Sequence, residues 1–351
     1  MADVVLVQPP LCDWYLTNKR TVPYGLACLG GALREAGFSV ELIDATASRR
    51  AVAAPLPAAA RRAAELFGPV DRSPFALFSR YRHFGLAIEE VARRVADAAP
   101  WLVGVSAWAS AYAEEALVTV AAIRAACPTA VIVVGGHHAT ALPEAVLADP
   151  AVDFVLRGEG EAAIVALARS LRSAAPAVVP GLCRRDGDAF AIAPPAVLED
   201  LTRLPLPATE LIDAQHYAVG SRRRVVLVTS RGCPLRCSYC AVSSGPPYRR
   251  RPVAAVLDEI AVSLQGSTAA LIDFEDENLT WDRAWALELL AAVSHRFAGL
   301  DLELRAMNGL LPATLDEPLL AAMAGAGFRE LNLSLGTAAA DQSRRFGRPD
   351  G

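Results

Sequence analysis

Lysine is all but missing from this chain: Lys19 is the only one, and arginine supplies the other basic residues. That skew reflects base composition and carries no function. Long apolar runs are absent as well. None reaches the roughly 18 residues that a membrane-spanning helix needs, so no membrane partner is expected. The opening Met1-Ala2-Asp3-Val4-Val5-Leu6-Val7-Gln8 has no basic stretch and no cleavage site, and reads as a strand. A surplus of either charge is lacking too. The formal net charge of −4 gives no global attraction to nucleic acid or anionic lipid. Seven cysteines, an odd number with three clustered, argue against a disulfide framework and for a reducing compartment, the cytoplasm. What is abundant is hydrophobic surface: 53% of residues against 21% charged, enough for a large core. The length allows about two domains.

The clustered cysteines lie in Thr229-Ser230-Arg231-Gly232-Cys233-Pro234-Leu235-Arg236-Cys237-Ser238-Tyr239-Cys240. The β-branched run Arg224–Val228 precedes them, and Gly232 and Pro234 break it, so the thiols fall on a loop at the strand's carboxyl end. No fourth cysteine is near. A structural zinc wants four closed ligands, whereas an iron–sulfur cubane on three thiolates keeps one iron open. Three buried or zinc-bound cysteines are the bland alternative. The C-x3-C-x2-C spacing, with Tyr239 directly before the last cysteine, resembles the radical S-adenosylmethionine enzymes. That resemblance implies that Cys233, Cys237 and Cys240 are the catalytic and metal-binding residues. They would hold a 4Fe-4S cluster whose open iron is chelated by S-adenosylmethionine, and electron transfer would yield a 5′-deoxyadenosyl radical. It also implies an electron donor such as flavodoxin or ferredoxin, and a small-molecule substrate.

Upstream, Val4–Val7, Ser39–Asp44, Leu102–Ser106, Val131–Val134 and Val152–Leu156 read as strands. Helices are expected from Tyr24 to Gly37 and over 109–126, 142–148 and 160–173, while 47–97 reads as an Ala/Arg-rich helical insertion with an aromatic knot at Phe75, Phe78, Tyr81 and Phe84. The alternation predicts a parallel sheet covered on both faces, in the flavodoxin-like order, with a ligand beyond the carboxyl ends. Those ends carry Gln8-Pro9-Pro10, Ser106, Gly135-Gly136-His137-His138-Ala139-Thr140 and Gly158-Glu159-Gly160, where paired glycines admit a close ligand. The set resembles the cobalamin-binding domain found ahead of many radical S-adenosylmethionine barrels. By that resemblance Ser106, Gly135 and Gly136 flank the nucleotide tail, with His137, Thr140, Gly158, Glu159 and Gly160 near it. Pro9, Tyr24 and Gly25 face the corrin. The first loop carries no histidine, so a bound corrinoid is expected to lack a lower histidine ligand; Cys12 reads as a buried small hydrophobe or a residue facing cobalt. A dinucleotide site is the competing reading, because Gly158-Glu159-Gly160-Glu161-Ala162-Ala163 satisfies G-x-G-x-x-A.

Residues 180–195 hold a predicted hairpin on Asp186-Gly187, and 196–222 read as the connection. From Arg224 the βα pattern resumes with strands at Ala270–Phe274, Leu302–Arg305 and Glu330–Leu335. These look like the first four units of a radical S-adenosylmethionine partial barrel, incomplete at the end of this sequence. The resemblance puts Glu275, Asp276, Glu277 and Asn278 at the methionyl ammonium, with Tyr239 and Ser334 also at the cofactor. Many relatives carry a glutamate where Gly336 stands. The expected organisation is a flavodoxin-like (Rossmann-like) α/β cobalamin domain over 1–178, a hairpin and linker over 179–222, and a truncated radical S-adenosylmethionine core over 223–351. The expected function is cobalamin-dependent methyl transfer to an unactivated carbon or phosphorus. Cyclisation or rearrangement without methyl transfer, a non-catalytic cofactor-binding module and a methylthiotransferase are the alternatives. The last needs a second cluster, for which Cys12, Cys28 and Cys127 are poorly placed.

Overall fold

The computed structural model describes residues 2–14, 22–58, 61–62, 81–173, 178–242 and 245–348. They form two compact units: residues through Leu198 together with Pro205–His216, and Glu199–Leu204 together with Tyr217 onward.

The first unit runs β1 (Val4–Gln8), β2 (Leu11–Asp13), α1 (Tyr24–Glu35), β3 (Val40–Asp44), β4 (Ala51–Ala53), β5 (Arg82–Phe84), α2 (Ile88–Ala98) and β6 (Leu102–Ser106). It continues with α3 (Ala113–Ala126), β7 (Val131–Gly135), β8 (Phe154–Leu156), α4 (Glu161–Ser173), β9 (Leu182–Asp186) and β10 (Ala189–Ala191). The main sheet has the order β10-β9-β8-β7-β6-β1-β3. Its members from β3 to β8 are parallel and follow the expected flavodoxin-like order. Alternating side chains explain why these strands are apolar throughout. Val5, Val7, Val103, Val105, Ile132 and Val134 meet Val91, Val95, Val120 and Ile123 of α2 and α3. Val4, Leu6, Leu102 and Val133 turn to the opposite face, against Leu26 and Leu33 of α1 and Ile164 and Leu167 of α4.

One segment of this unit differs from the sequence-based expectation. The described parts of 47–97 are not simply helical: β4 and β5 join β2 in a small antiparallel sheet, and α2 is a covering helix of the main sheet. Strand pairing to Leu11–Asp13 overrides the local helical composition there. Phe75 and Phe78 lie outside the described residues, whereas Tyr81 meets Trp14 at 5.0 Å and Phe84 is buried. The Asp-Gly hairpin forms, with Gly187 at φ 59°, and extends the main sheet antiparallel to β8.

The second unit contains β11 (Arg223–Leu227), β12 (Ser230–Arg231), β13 (Arg249–Arg250), α5 (Val253–Leu264), β14 (Ala269–Phe274) and α6 (Arg283–Arg296). Then come β15 (Asp301–Arg305), α7 (Glu317–Ala326) and α8 (Ala340–Arg345). β11, β14 and β15 form a parallel sheet in that order. Helix starts are set locally: the Asp282 and Asp316 side chains accept from Trp285 N and Leu319 N. The expected strand at Glu330–Leu335 is not continuous. β15 ends at Arg305 and Gly309, at φ 108°, redirects the chain. Contact is thereby reduced to bridges from Leu304 to Phe328 and from Leu310 to Leu333. Among the described residues no helix is long and apolar enough to cross a membrane.

Near the carboxyl end of β11, Arg251 and Glu259 form an ion pair at 2.5 Å, with side chains 4% and 1% exposed. Arg251 also donates to the Val228 carbonyl at 3.0 Å, and its own carbonyl accepts from the Trp285 indole. Removing one partner leaves an uncompensated buried charge. Glu259→Ala is therefore expected to lose about 3–5 kcal/mol of stability, measured by denaturant unfolding; a loss under ~1 kcal/mol would refute this role.

Candidate functional site

The three cysteines stand on a loop tied at both ends. Ser230 and Arg231 pair with Arg250 and Arg249, and Arg251 N–H donates to the Thr229 carbonyl at 2.9 Å. Gly232 has φ 81°, and a Cβ there would fall 2.5 Å from the carbonyl oxygens of both Pro246 and Pro247. Only glycine fits that turn. Cys237 is 5% exposed, and Cys233 and Cys240 are half-buried. Burial pushes the Cys233 thiol up; a hydrogen bond from the Leu235 backbone opposes this, and the nearby Cys240, Cys237 and Glu277 push it further up. The three thiols and Glu277 thus share one neighbourhood.

Among the described residues no three His, Cys, Asp or Glu side chains converge on a single metal ion. A cubane asks for something different, because each thiolate takes its own iron. Three cysteines close in sequence on one loop tied at both ends fit that demand.

Behind the loop sits Asp276, 2% exposed. Its carboxylate accepts from Thr229 N at 3.1 Å, Thr229 Oγ1 at 2.7 Å, Ser230 N at 2.6 Å and the Ser230 hydroxyl. Burial raises its pKa, and these hydrogen bonds act against that rise. Asp276 is thus occupied in holding the strand end. The neighbouring Glu275 N–H donates to the Leu227 carbonyl at 3.0 Å, and Asn308 Nδ2 donates to the Asp276 carbonyl at 3.3 Å. Glu277 is half-buried, and Asn278, 2% exposed, has an Oδ1 without a hydrogen-bond partner. Ser334 accepts from Arg348, which also donates to the Tyr239 hydroxyl. At Gly336, which stands where many relatives are expected to carry a glutamate, the side-chain space is filled: a Cβ would lie 2.7 Å from Tyr239 Oη.

In the first unit, parallel pairing gathers the expected residues at one edge. Ser106 is in register with Gly135, and Ala107 N–H donates to the Gly135 carbonyl at 2.7 Å. Gly136 has φ 111° and backs onto Ala107 O, where a Cβ would come within 2.7 Å. Thr140 Oγ1 accepts from Gly158 N at 2.9 Å. His137 is exposed; His138 is buried against Ser110 Oγ at 3.0 Å, and burial lowers its pKa. Pro9 is buried at the end of β1, and Tyr24 and Gly25 form the first turn of α1. The dinucleotide reading fails on geometry. A Cβ on Gly158 would lie 2.2 Å from Ala196 O, Glu159 N–H donates to that oxygen, and Glu159 Oε2 accepts from Leu198 N. The turn is covered by the chain's own backbone, and Gly160 faces Leu29.

One pairing was not legible beforehand. Strand β5 places His83 opposite Cys12, with Nδ1 3.9 Å from Sγ, while Nε2 lies 2.8 Å from the Leu86 carbonyl. Burial and the nearby Glu115 push the Cys12 thiol up to about 12, so it stays protonated. The insertion separates the two residues in sequence, and only strand register could have revealed them.

The family model of the B12 binding domain matches residues 79–168, and that of the Radical SAM superfamily matches residues 227–350. The chain carries a B12 binding domain followed by a domain of the Radical SAM superfamily. Among its relatives is the cytidylyl-2-hydroxyethylphosphonate methyltransferase of Streptomyces wedmorensis, 25% identical over 90% of this chain and 61% of that protein. Another is the anaerobic magnesium-protoporphyrin IX monomethyl ester cyclase of Synechocystis sp., 29% identical over 83% of this chain and 52% of that protein. The solved structure of the radical S-adenosylmethionine methyltransferase TsrM from Kitasatospora setae, with cobalamin and a 4Fe-4S cluster bound, matches with a TM-score of 0.70 at 21% identity. That match covers 100% of this chain and 63% of TsrM. The cobalamin-dependent radical enzyme OxsB matches at 0.69 and 17%, over 99% of this chain and 45% of OxsB. Both likenesses establish the fold of this chain, which spans less than two thirds of the length of each of these relatives.

In a radical S-adenosylmethionine protein the cysteine loop must hold its shape before it is loaded. Gly232→Ala forces a left-handed backbone and a clash, at about 1–3 kcal/mol for the backbone alone. Iron bound after anaerobic reconstitution is expected to fall, as it should also in Cys237→Ser, with unchanged far-ultraviolet circular dichroism. Wild-type iron content in Gly232→Ala would overturn the assignment.

Proposed function

We propose that this chain carries the cofactor-binding part of a cobalamin-dependent radical S-adenosylmethionine methyltransferase, acting on an unactivated carbon or phosphorus of a small molecule. The observation that carries the reading is the closed three-thiol loop at the carboxyl end of β11, in a chain that also has a B12 binding domain. When bound, the cluster supplies an electron to S-adenosylmethionine and the corrinoid carries the methyl group.

The chain's own residues hold and orient. Cys233, Cys237 and Cys240 are the cluster ligands. The unpartnered Oδ1 of Asn278 offers an acceptor to an ammonium group, which the occupied carboxylate of Asp276 does not, and Glu277 adds a negative charge near Cys233. Glu275 contributes through its backbone, and Tyr239 and Ser334 border the same mouth. At the edge of the first sheet, Ser106, Gly135, Gly136, His137 and Thr140 line the place for a nucleotide tail, with Gly158, Glu159 and Gly160 closing its far side. Pro9, Tyr24 and Gly25 are assigned to the corrin. A low-potential electron donor of the flavodoxin or ferredoxin kind is the expected partner, nucleic acid is not, and the cytoplasm is the compartment that keeps seven cysteines reduced.

Similarity to the magnesium-protoporphyrin ester cyclase favours a second reading, ring formation without methyl transfer. Reconstituted, reduced protein incubated with methyl-labelled S-adenosylmethionine separates the two. Formation of 5′-deoxyadenosine with label in the product is expected, and Cys237→Ser should reduce both to background. 5′-Deoxyadenosine without label transfer would favour the cyclase-like reading; neither product would leave a cofactor-binding module.

A further inference from the structure

The guanidinium of Arg348 spans two elements remote in sequence. One Nη donates to the Tyr239 hydroxyl at 3.0 Å, and the other donates to the Ser334 carbonyl and, at 2.8 Å, to the Ser334 hydroxyl. Tyr239 lies between Cys237 and Cys240 and is 53% exposed, so burial alone does not fix its ring. Its neighbours do. Phe346 meets the ring edge-on at 5.3 Å, and Ser238 N–H donates to the Phe346 carbonyl at 2.9 Å. The arginine is anchored in turn: its N–H donates to the Ser343 carbonyl at 3.0 Å, and the Ser343 hydroxyl donates to its carbonyl at 3.1 Å.

Gly336 supplies an independent observation. Its backbone is not in the left-handed region, so chain direction does not demand glycine. Space does: a Cβ would sit 2.7 Å from Tyr239 Oη and 3.1 Å from Arg348 Cδ. A side chain at 336 obliges the Tyr239 hydroxyl or the Arg348 side chain to shift from the contact they make.

We propose that Arg348 is a positioning residue of the cysteine loop, fixing the Tyr239 ring and the 238–240 backbone between two of the three thiols, and that Gly336 is the residue that admits this pair. The inference rests on the reading of that loop as the cluster site, although the contacts belong to the chain itself. A planar guanidinium directs separate N–H groups at two acceptors at once, which the single ammonium of lysine does poorly. Losing the contact leaves all three thiols in place while freeing the segment that shapes the mouth around them.

Hydrogen exchange by mass spectrometry on the full apo chain tests this without any cofactor. Arg348→Ala should speed exchange in the peptide covering 236–240 by about tenfold, the scale of one charge-assisted hydrogen bond. Gly336→Ala should do the same, Arg348→Lys should restore part of the protection, and α5 should be unaffected. After reconstitution, Arg348→Ala should keep wild-type iron but change the electron paramagnetic resonance shift that S-adenosylmethionine produces. Wild-type exchange at 236–240, an equal rise in α5, or an unaltered shift would overturn the positioning role. Should wild-type protein take up no iron while the exchange pattern holds, the cluster reading falls and the contact stands. Iron uptake with no response at 236–240 removes only the positioning role.

Discussion

A single carboxylate removed from solvent fixes where the chemistry of the second unit can occur. Asp276 takes donors from the backbone and hydroxyls of Thr229 and Ser230, joining the carboxyl end of β11 to that of β14. Burying a charge is costly unless its lone pairs are used, and here they are. The cysteine loop therefore leaves the sheet from a fixed point. Arg251, paired with Glu259, performs the corresponding task where the loop returns. Between these anchors, Gly232 against Pro246 and Pro247 allows a turn that no other residue makes.

The first unit solves a different problem with simpler means. Strict alternation along β1, β6 and β7 sends successive valines and leucines to opposite helical layers, leaving only the strand ends for ligands. Small residues collect there because backbones approach one another closely, as Gly136 does to Ala107 and Gly158 to Ala196. The same crowding that gives Gly158 its dinucleotide-like look is what closes that turn to a pyrophosphate.

Much of this was legible in the residues. The three thiols, the strand before them and the parallel pattern of both halves follow from spacing and periodicity within short windows. The helical reading of 47–97 misled because composition was read without the partner strand at Leu11–Asp13. The fourth strand of the second unit was overestimated for a related reason: Glu330–Leu335 alternates like a strand, yet beyond Arg305 its neighbour turns away at Gly309.

By itself the sequence determined the spacing of the three cysteines, the order of the elements and the faces they bury, since these depend on residues a few positions apart. Tertiary structure alone decided which acidic side chains after β14 are already committed, that His83 stands across from Cys12, and that Arg348 reaches Tyr239. Those last two contacts join residues 71 and 109 positions apart. Local periodicity carries no information about such distances; strand register and chain closure do.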